Sequence, residues 1–218
     1  MATRMDTELM RPDERRGSMD CDVRLATVNR VARLVVGDET GLARLHRISN
    51  GGVELSSIMD LHVGQMVCLD LSETVSARVA VIAKNGKRYA LAFQQEINCA
   101  ALLRQLVAEA RSNRARPLRL TTPPLRAEGR SLKGDLQLEL EDISQHGMKV
   151  RHDGSFHEGL RVCVQLPNGR ECRGIVRWTK GRMAGLQLLD VLSADDLGAV
   201  SRLQSSATSS SSGSSPGR

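Results

Sequence analysis

Short runs in which apolar and polar residues alternate dominate this chain, as in "MKVRH" and "RVCVQL", and they are punctuated by "NGG", "NGK", "PNG" and "KGR". A period of two with Gly and Asn at the breaks predicts strands joined by tight turns. Five or six strands in roughly 75 residues suit a closed or nearly closed antiparallel barrel, because closure removes edges that short sheets cannot otherwise protect. One stretch reads differently. "INCAALLRQLVAEARSNRAR" spaces Leu102, Leu103, Leu106 and Val107 along one helical face, which predicts an amphipathic helix of about four turns. Near the C-terminal end, "LSADDLGAVSRLQS" opens on Ser193 as an N-cap candidate with acids after it, and predicts a second, shorter helix.

The pattern is written twice. Displaced by 95 residues, Arg24–Phe93 falls on Arg119–Leu188 with 17 of 70 positions identical. "RISNGGVEL" from Arg47 meets "DISQHGMKV" from Asp142, "GQMVCLDL" meets "GLRVCVQL", Arg78 meets Arg173 and His62 meets His157. Two copies are too few for a solenoid, so the repeat predicts tandem domains. The expected fold is mainly β: two tandem small antiparallel β-barrels, each followed by a C-terminal α-helix. The divisions are a mobile arm over 1–18, a first domain with its connecting helix over 19–110, a second domain over 111–204, and a disordered tail over 205–218. That tail has eight serines in fourteen residues and nothing to bury.

Composition narrows the chemistry. Aromatics are only 2% of 218 residues, so the cores must be aliphatic. A formal charge of +6, much of it arginine, points to anionic and especially phosphate-bearing partners. Five cysteines, an odd number, and an N-terminal stretch without an apolar core segment predict a cytoplasmic protein. No run approaches the ~18 apolar residues of a spanning helix, so integral membrane association is not expected. Cys68 and Cys163, matched between copies, read as small core residues.

Asp142-Ile143-Ser144-Gln145-His146-Gly147 interrupts two alternating runs. Its side chains can close an Asx or Ser/Thr turn, or they can hold a ligand. Together with the barrel pattern, the preceding arginines and the "RGIVRW…AGLQL" ending, this segment resembles the PilZ domain. That family carries Arg-x-x-x-Arg in an N-terminal arm and Asp/Asn-x-Ser-x-x-Gly on the barrel, and its usual role is to bind cyclic di-GMP. The resemblance covers nearly all of 19–204, twice over. It implies a bacterial second-messenger receptor whose second domain binds the dinucleotide through Arg114, Arg116, Arg119, Asp142, Ser144 and Gly147. Guanine offers acceptors to arginine and donors to a carboxylate, and cations offset the phosphates.

The match is uneven. In "RSNRARPLRL" no two of Arg111, Arg114, Arg116 and Arg119 stand four apart, and the pair that does, Arg126 and Arg130, falls on the first strand of the copy. In the first copy the acidic position is Arg47, its position matching Arg119 is Arg24, and an Arg-x-x-x-Arg is available only upstream at Arg11 and Arg15. The first domain therefore reads as degenerate. The alternative function is a ligand-independent adaptor that works through an unidentified protein partner in motility or surface-polysaccharide control.

Other chemistries fit poorly. Asp142, Ser144 and His146 alternate along one loop, whereas a hydrolase triad converges from separate elements, so no enzyme is expected. His157, Cys163 and Cys172 lack the close pairs of a zinc site, and no metal or cofactor is expected. Too few aromatics are present for a nucleic-acid stacking surface, with Tyr89, Phe93, Phe156 and Trp178 the only candidates. Trp178 reads as a core or rim anchor that could touch a base from the barrel mouth, and His146 as a surface turn residue.

Overall fold

The computed structural model describes residues 26–112, 116–132 and 134–204. Strands β1 (Ala26–Val36), β2 (Glu39–Ile48), β3 (Gly52–Ser56), β4 (Met66–Asp70), β5 (Ser76–Asn85) and β6 (Arg88–Phe93) close a first barrel in the order β1-β2-β3-β6-β5-β4. Helix α1 (Cys99–Arg111) follows. Strands β7 (Leu120–Ser131), β8 (Gly134–Ser144), β9 (Gly147–His152), β10 (Arg161–Gln165), β11 (Glu171–Lys180) and β12 (Met183–Leu188) close a second barrel with the same connectivity, and α2 (Val200–Gln204) comes last. Every pair is antiparallel. The fold is thus mainly β, as the alternation predicts. The expected arm at 1–18, the serine-rich tail and Arg114 lie outside the described residues.

Both cores are mainly aliphatic, with Tyr89 and Phe93 in the first and Phe156 in the second. Leu34, Leu45, Leu55, Leu69 and Leu91 fill the first barrel, and Leu120, Leu140, Ile143, Val150 and Val176 the second. The matched cysteines depart from expectation. Cys68 and Cys163 are only half-buried, because Val67, Leu69, Val162 and Val164 take the inward positions of β4 and β10, and among the described residues the buried thiols are Cys99 and Cys172. Burial pushes the Cys172 pKa up to about 11.

The duplicate register also slips at its first rungs. Leu120 and Thr121 pair with Ile143 and Asp142, as Ala26 and Thr27 pair with Ile48 and Arg47, an offset of 94 and not 95. The irregularity in β7 spans Thr122, Pro123 and Pro124, whereas that in β1 spans only Val28 and Asn29. The two prolines lack the amide protons that a regular ladder uses, and the strand bulges around them. Arg24, which the 95-residue offset sets against Arg119, lies outside the described residues.

Helix α1 is capped by Asn98, whose side chain accepts from the Ala101 amide at 2.9 Å. Its buried stripe is Cys99 and Leu106, with Leu102 and Leu103 partly covered, while Val107 faces solvent, contrary to the sequence reading. The second helix also starts later than predicted. Ser193 Oγ accepts from the Asp196 amide and the Asp196 carboxylate accepts from the Ser193 amide, but this capping box closes a single turn that stops at Gly198. The interruption is where the barrels meet. The Leu42 amide donates to the Leu197 carbonyl at 2.8 Å, and a Cβ on Gly41 would lie 1.8 Å from the Gly198 oxygen. Leu42 packs into the second core and Ala199 into the first, so each barrel completes the other.

Candidate ligand-binding site

The β8–β9 hairpin separates the two readings of the Asp-x-Ser-x-x-Gly segment residue by residue. Ile143 is fully buried. Ser144 is fully buried too, and its hydroxyl donates to the Gly147 carbonyl at 3.1 Å. Ser49, its counterpart, donates to the Gly52 carbonyl at 3.2 Å. Glycine is required for a steric reason that has nothing to do with a positive φ: a Cβ on Gly147 would meet the Leu186 oxygen at 2.7 Å, and on Gly52 the Leu91 oxygen at 2.3 Å. The Gln145 and His146 carbonyls accept from the Leu192 and Leu188 amides, as the Asn50 and Gly51 carbonyls do from Ile97 and Phe93. The serine and glycine that the copies share build the turn, and the backbone carbonyls between them fasten it to the chain leaving the barrel.

Of the Asp, Ser and Gly of the motif only Asp142 is replaced in the first copy, and it faces outward. Arg119 Nη1 donates to its Oδ1 at 2.5 Å, and the carboxylate side chain is 19% exposed. Cross-strand pairing continues the row from Asp142 to Lys149, Gly185 and Trp178. Two strand spacings, about 10 Å, separate Asp142 from Gly185. The indole lies flat against Gly185, since a Cβ there would sit 2.0 Å from Nε1. Trp178 is 44% exposed, so it is a ledge on the barrel wall and not a core anchor. An acceptor carboxylate, two cations and a flat ring share one open face. That set can receive a planar base edge, stack its ring and balance a phosphate.

The first barrel answers each position with a different residue. Its row runs Arg47, Glu54, Ala90 and Ala83. The charges are exchanged, the pair lying 3.7 Å apart, and the ring is missing. Of the sequence-derived candidates, Arg119 and Asp142 are brought together. Arg116 is exposed in the extended run before β7, Ser144 is turned inward, and Gly147 lies beneath β12. Lys149 went unnoticed in the sequence, although a two-residue hairpin loop at Gln145-His146 sets it opposite Asp142.

The surface has other depressions. Cavities of about 370 and 470 Å³ open around Glu128, Gln137 and Gln165. Neither is lined by Arg119 or Asp142, and their walls mix Arg126 and Arg130 with Glu128, Asp135 and Glu171. Among the described residues no group of three or more His, Cys, Asp or Glu is arranged to hold a metal ion, and no helix is long and apolar enough to cross a membrane.

Residues 110–204 match the family model of the PilZ domain. No curated protein matches the chain. Among solved structures, the chain is similar to PlzA of Borreliella burgdorferi in complex with c-di-GMP, at TM-score 0.37 and 11% identity, covering 75% of this chain and 83% of that one. It is also similar to YcgR from Escherichia coli in complex with c-di-GMP, at TM-score 0.31 and 15% identity, covering 74% and 76%. A third is K. pneumonia MrkH in its apo state, at TM-score 0.30 and 14% identity, covering 80% and 84%.

Proposed function

We propose, on the match of residues 110–204 to the family model of the PilZ domain, that the second barrel is a receptor surface for cyclic di-GMP, with no catalytic step. The observation that carries this reading is the outward Asp142, held by Arg119 in line with Lys149 and the Trp178 ledge, on the one barrel that has all four. The carboxylate accepts from the guanine N1 and N2 donors, and a base lies over the indole. Arg119, displaced from Asp142, joins Arg116 and Arg114 around guanine acceptors and phosphates. Ser144 and Gly147 serve by keeping the hairpin in shape, and Ser144 makes no direct contact. The domain division at about residue 110 and a cytoplasmic setting belong to the same proposal.

The test is isothermal titration of the full chain with cyclic di-GMP. The expected result is binding that Asp142→Ala weakens at least tenfold. No heat from the unsubstituted chain, or heat indifferent to Asp142→Ala, overturns the reading.

A second reading concerns the first barrel. Arg47 and Glu54 stand where Asp142 and Lys149 do, so a base edge that seeks a carboxylate meets a cation. On this reading residues 19–110 work as an adaptor toward a protein partner. Full-chain titration in Asp142→Ala that still reports a second, intact dinucleotide site contradicts it.

A further inference from the structure

The two barrels share a fold but present different outer surfaces. At one corner the first barrel exposes Val63 (64%), Met66 (46%) and Ile82 (58%). Met66 pairs with Ala80, and the Gly64 amide and Gln65 carbonyl bond to Val81, so the three lie on neighbouring rungs. At the aligned positions the second barrel carries Glu158, Arg161 and Arg177. It closes with the same topology, so the barrel itself does not need apolar residues there. Exposed apolar side chains that the fold does not require mark a binding surface.

Ile82 leads into Ala83, which with Ala90, Leu55 and Tyr89 lines a cleft of about 190 Å³. In the second barrel the residue at the Ala83 position is Trp178, whose ring covers Gly185, so a ring of this chain fills the equivalent place. Small residues leave it open in the first barrel. The rim is basic. Glu54 is turned to Arg47, and Lys84 pairs with Asp60, while Arg88 has no ion pair among the described residues. His46 at the same rim is held below its ordinary pKa by burial and then by Arg88 and Arg44, against the opposing pull of Glu54.

We propose that this face docks a protein segment that places an aromatic side chain in the Ala83–Ala90 cleft, lays apolar neighbours on Val63 and Ile82, and carries acidic residues against Arg88. A second copy of the chain is a poor occupant, because a net charge of +6 brings like charge to a basic rim. The proposal stands apart from dinucleotide binding, since it uses only the first barrel.

The experiment pans a random twelve-residue peptide library on phage against the immobilised full chain, then titrates synthetic copies of the enriched peptides. The expected peptides combine an aromatic residue with acids. Ala83→Trp, which fills the cleft as Trp178 does, and Arg88→Glu should each weaken them at least tenfold, with the backbone amide spectrum of the rest of the chain unchanged. Asp142→Ala should leave them unaffected. No enrichment, basic peptides, peptides insensitive to both first-barrel substitutions, or peptides lost in Asp142→Ala each overturn the proposal. Because Arg88 is exposed, its reversal tests the charge argument even if the larger Trp disturbs packing.

Discussion

Arg33 of the first barrel donates from Nη1 to the backbone carbonyl of Arg119 at 2.8 Å, and Arg119 is the residue whose side chain reaches Asp142 on the second barrel. Arg33 is fixed by Asp70, 2.8 Å from its Nε. A single arginine thus ties the first barrel to the chain that enters β7, two bonds away from the proposed ligand carboxylate.

Removing that tie has a stability consequence. Arg33→Ala leaves the buried Asp70 without its cation and the Arg119 carbonyl without its donor. Because Arg33 keeps partial solvent contact, the expected loss is about 1–3 kcal/mol, short of that for a fully buried pair. Urea denaturation should register it as a lower midpoint, with Asp70→Asn milder because the amide keeps an acceptor. An unchanged midpoint would show that the tie contributes nothing.

Glycines in the hairpins should split by what surrounds them. Gly147→Ala forces a methyl against the Leu186 carbonyl, a rigid backbone atom, and should cost about 1–3 kcal/mol, with Gly52→Ala at least as costly. Gly51 has nothing within 4 Å and no positive φ, so Gly51→Ala should stay within about 0.5 kcal/mol. Thermal melts of the three variants compare them directly.

For the proposed ligand site, Trp178→Ala should weaken cyclic di-GMP binding by about 1–3 kcal/mol, the range for loss of one stacked base. The half-exposed ring is not part of the core, so the fold should persist. Ala83→Trp, at the matching position of the first barrel, should leave that affinity unchanged. Titration calorimetry distinguishes these outcomes.

His152 makes the second barrel sensitive to acid. Its Nδ1 accepts from the Gly154 amide at 3.0 Å and more distantly from Phe156, and its ring stacks on Phe156 at 4.7 Å. The proton therefore sits on Nε2, which is buried without a partner. Burial lowers the folded-state pKa, Arg182 adds to this, and Asp153 opposes it. A histidine with a depressed folded pKa takes up protons preferentially when unfolded. Its stabilising effect is whole above the unfolded value of about 6.5 and falls as the pH drops below it, until the folded pKa is reached. Denaturation at pH 7.5 and 5.5 should show a larger loss for the natural chain than for His152→Phe, and equal losses would contradict the assignment.

Much of this protein is written in its sequence. Alternation is a local property, and it carries the strands, both mainly aliphatic cores and the amphipathic α1, because a side chain's face along a strand or helix depends only on its place in the repeat. Internal duplication marked Asp142 as the motif residue on which the copies part, and Arg47 as its replacement. Other features depend on contacts between residues distant along the chain. That Ser144 is spent inside its turn, and that Gly147 is needed beneath Leu186, follow from where β12 passes. Register errors came from a proline bulge whose length no periodicity encodes. The late start of α2 and the inward pull on Leu42 exist because the barrels press together at Gly41 and Gly198. The row from Asp142 through Lys149 to Trp178 is likewise a product of strand pairing, which aligns across the barrel residues that lie 36 positions apart along the chain.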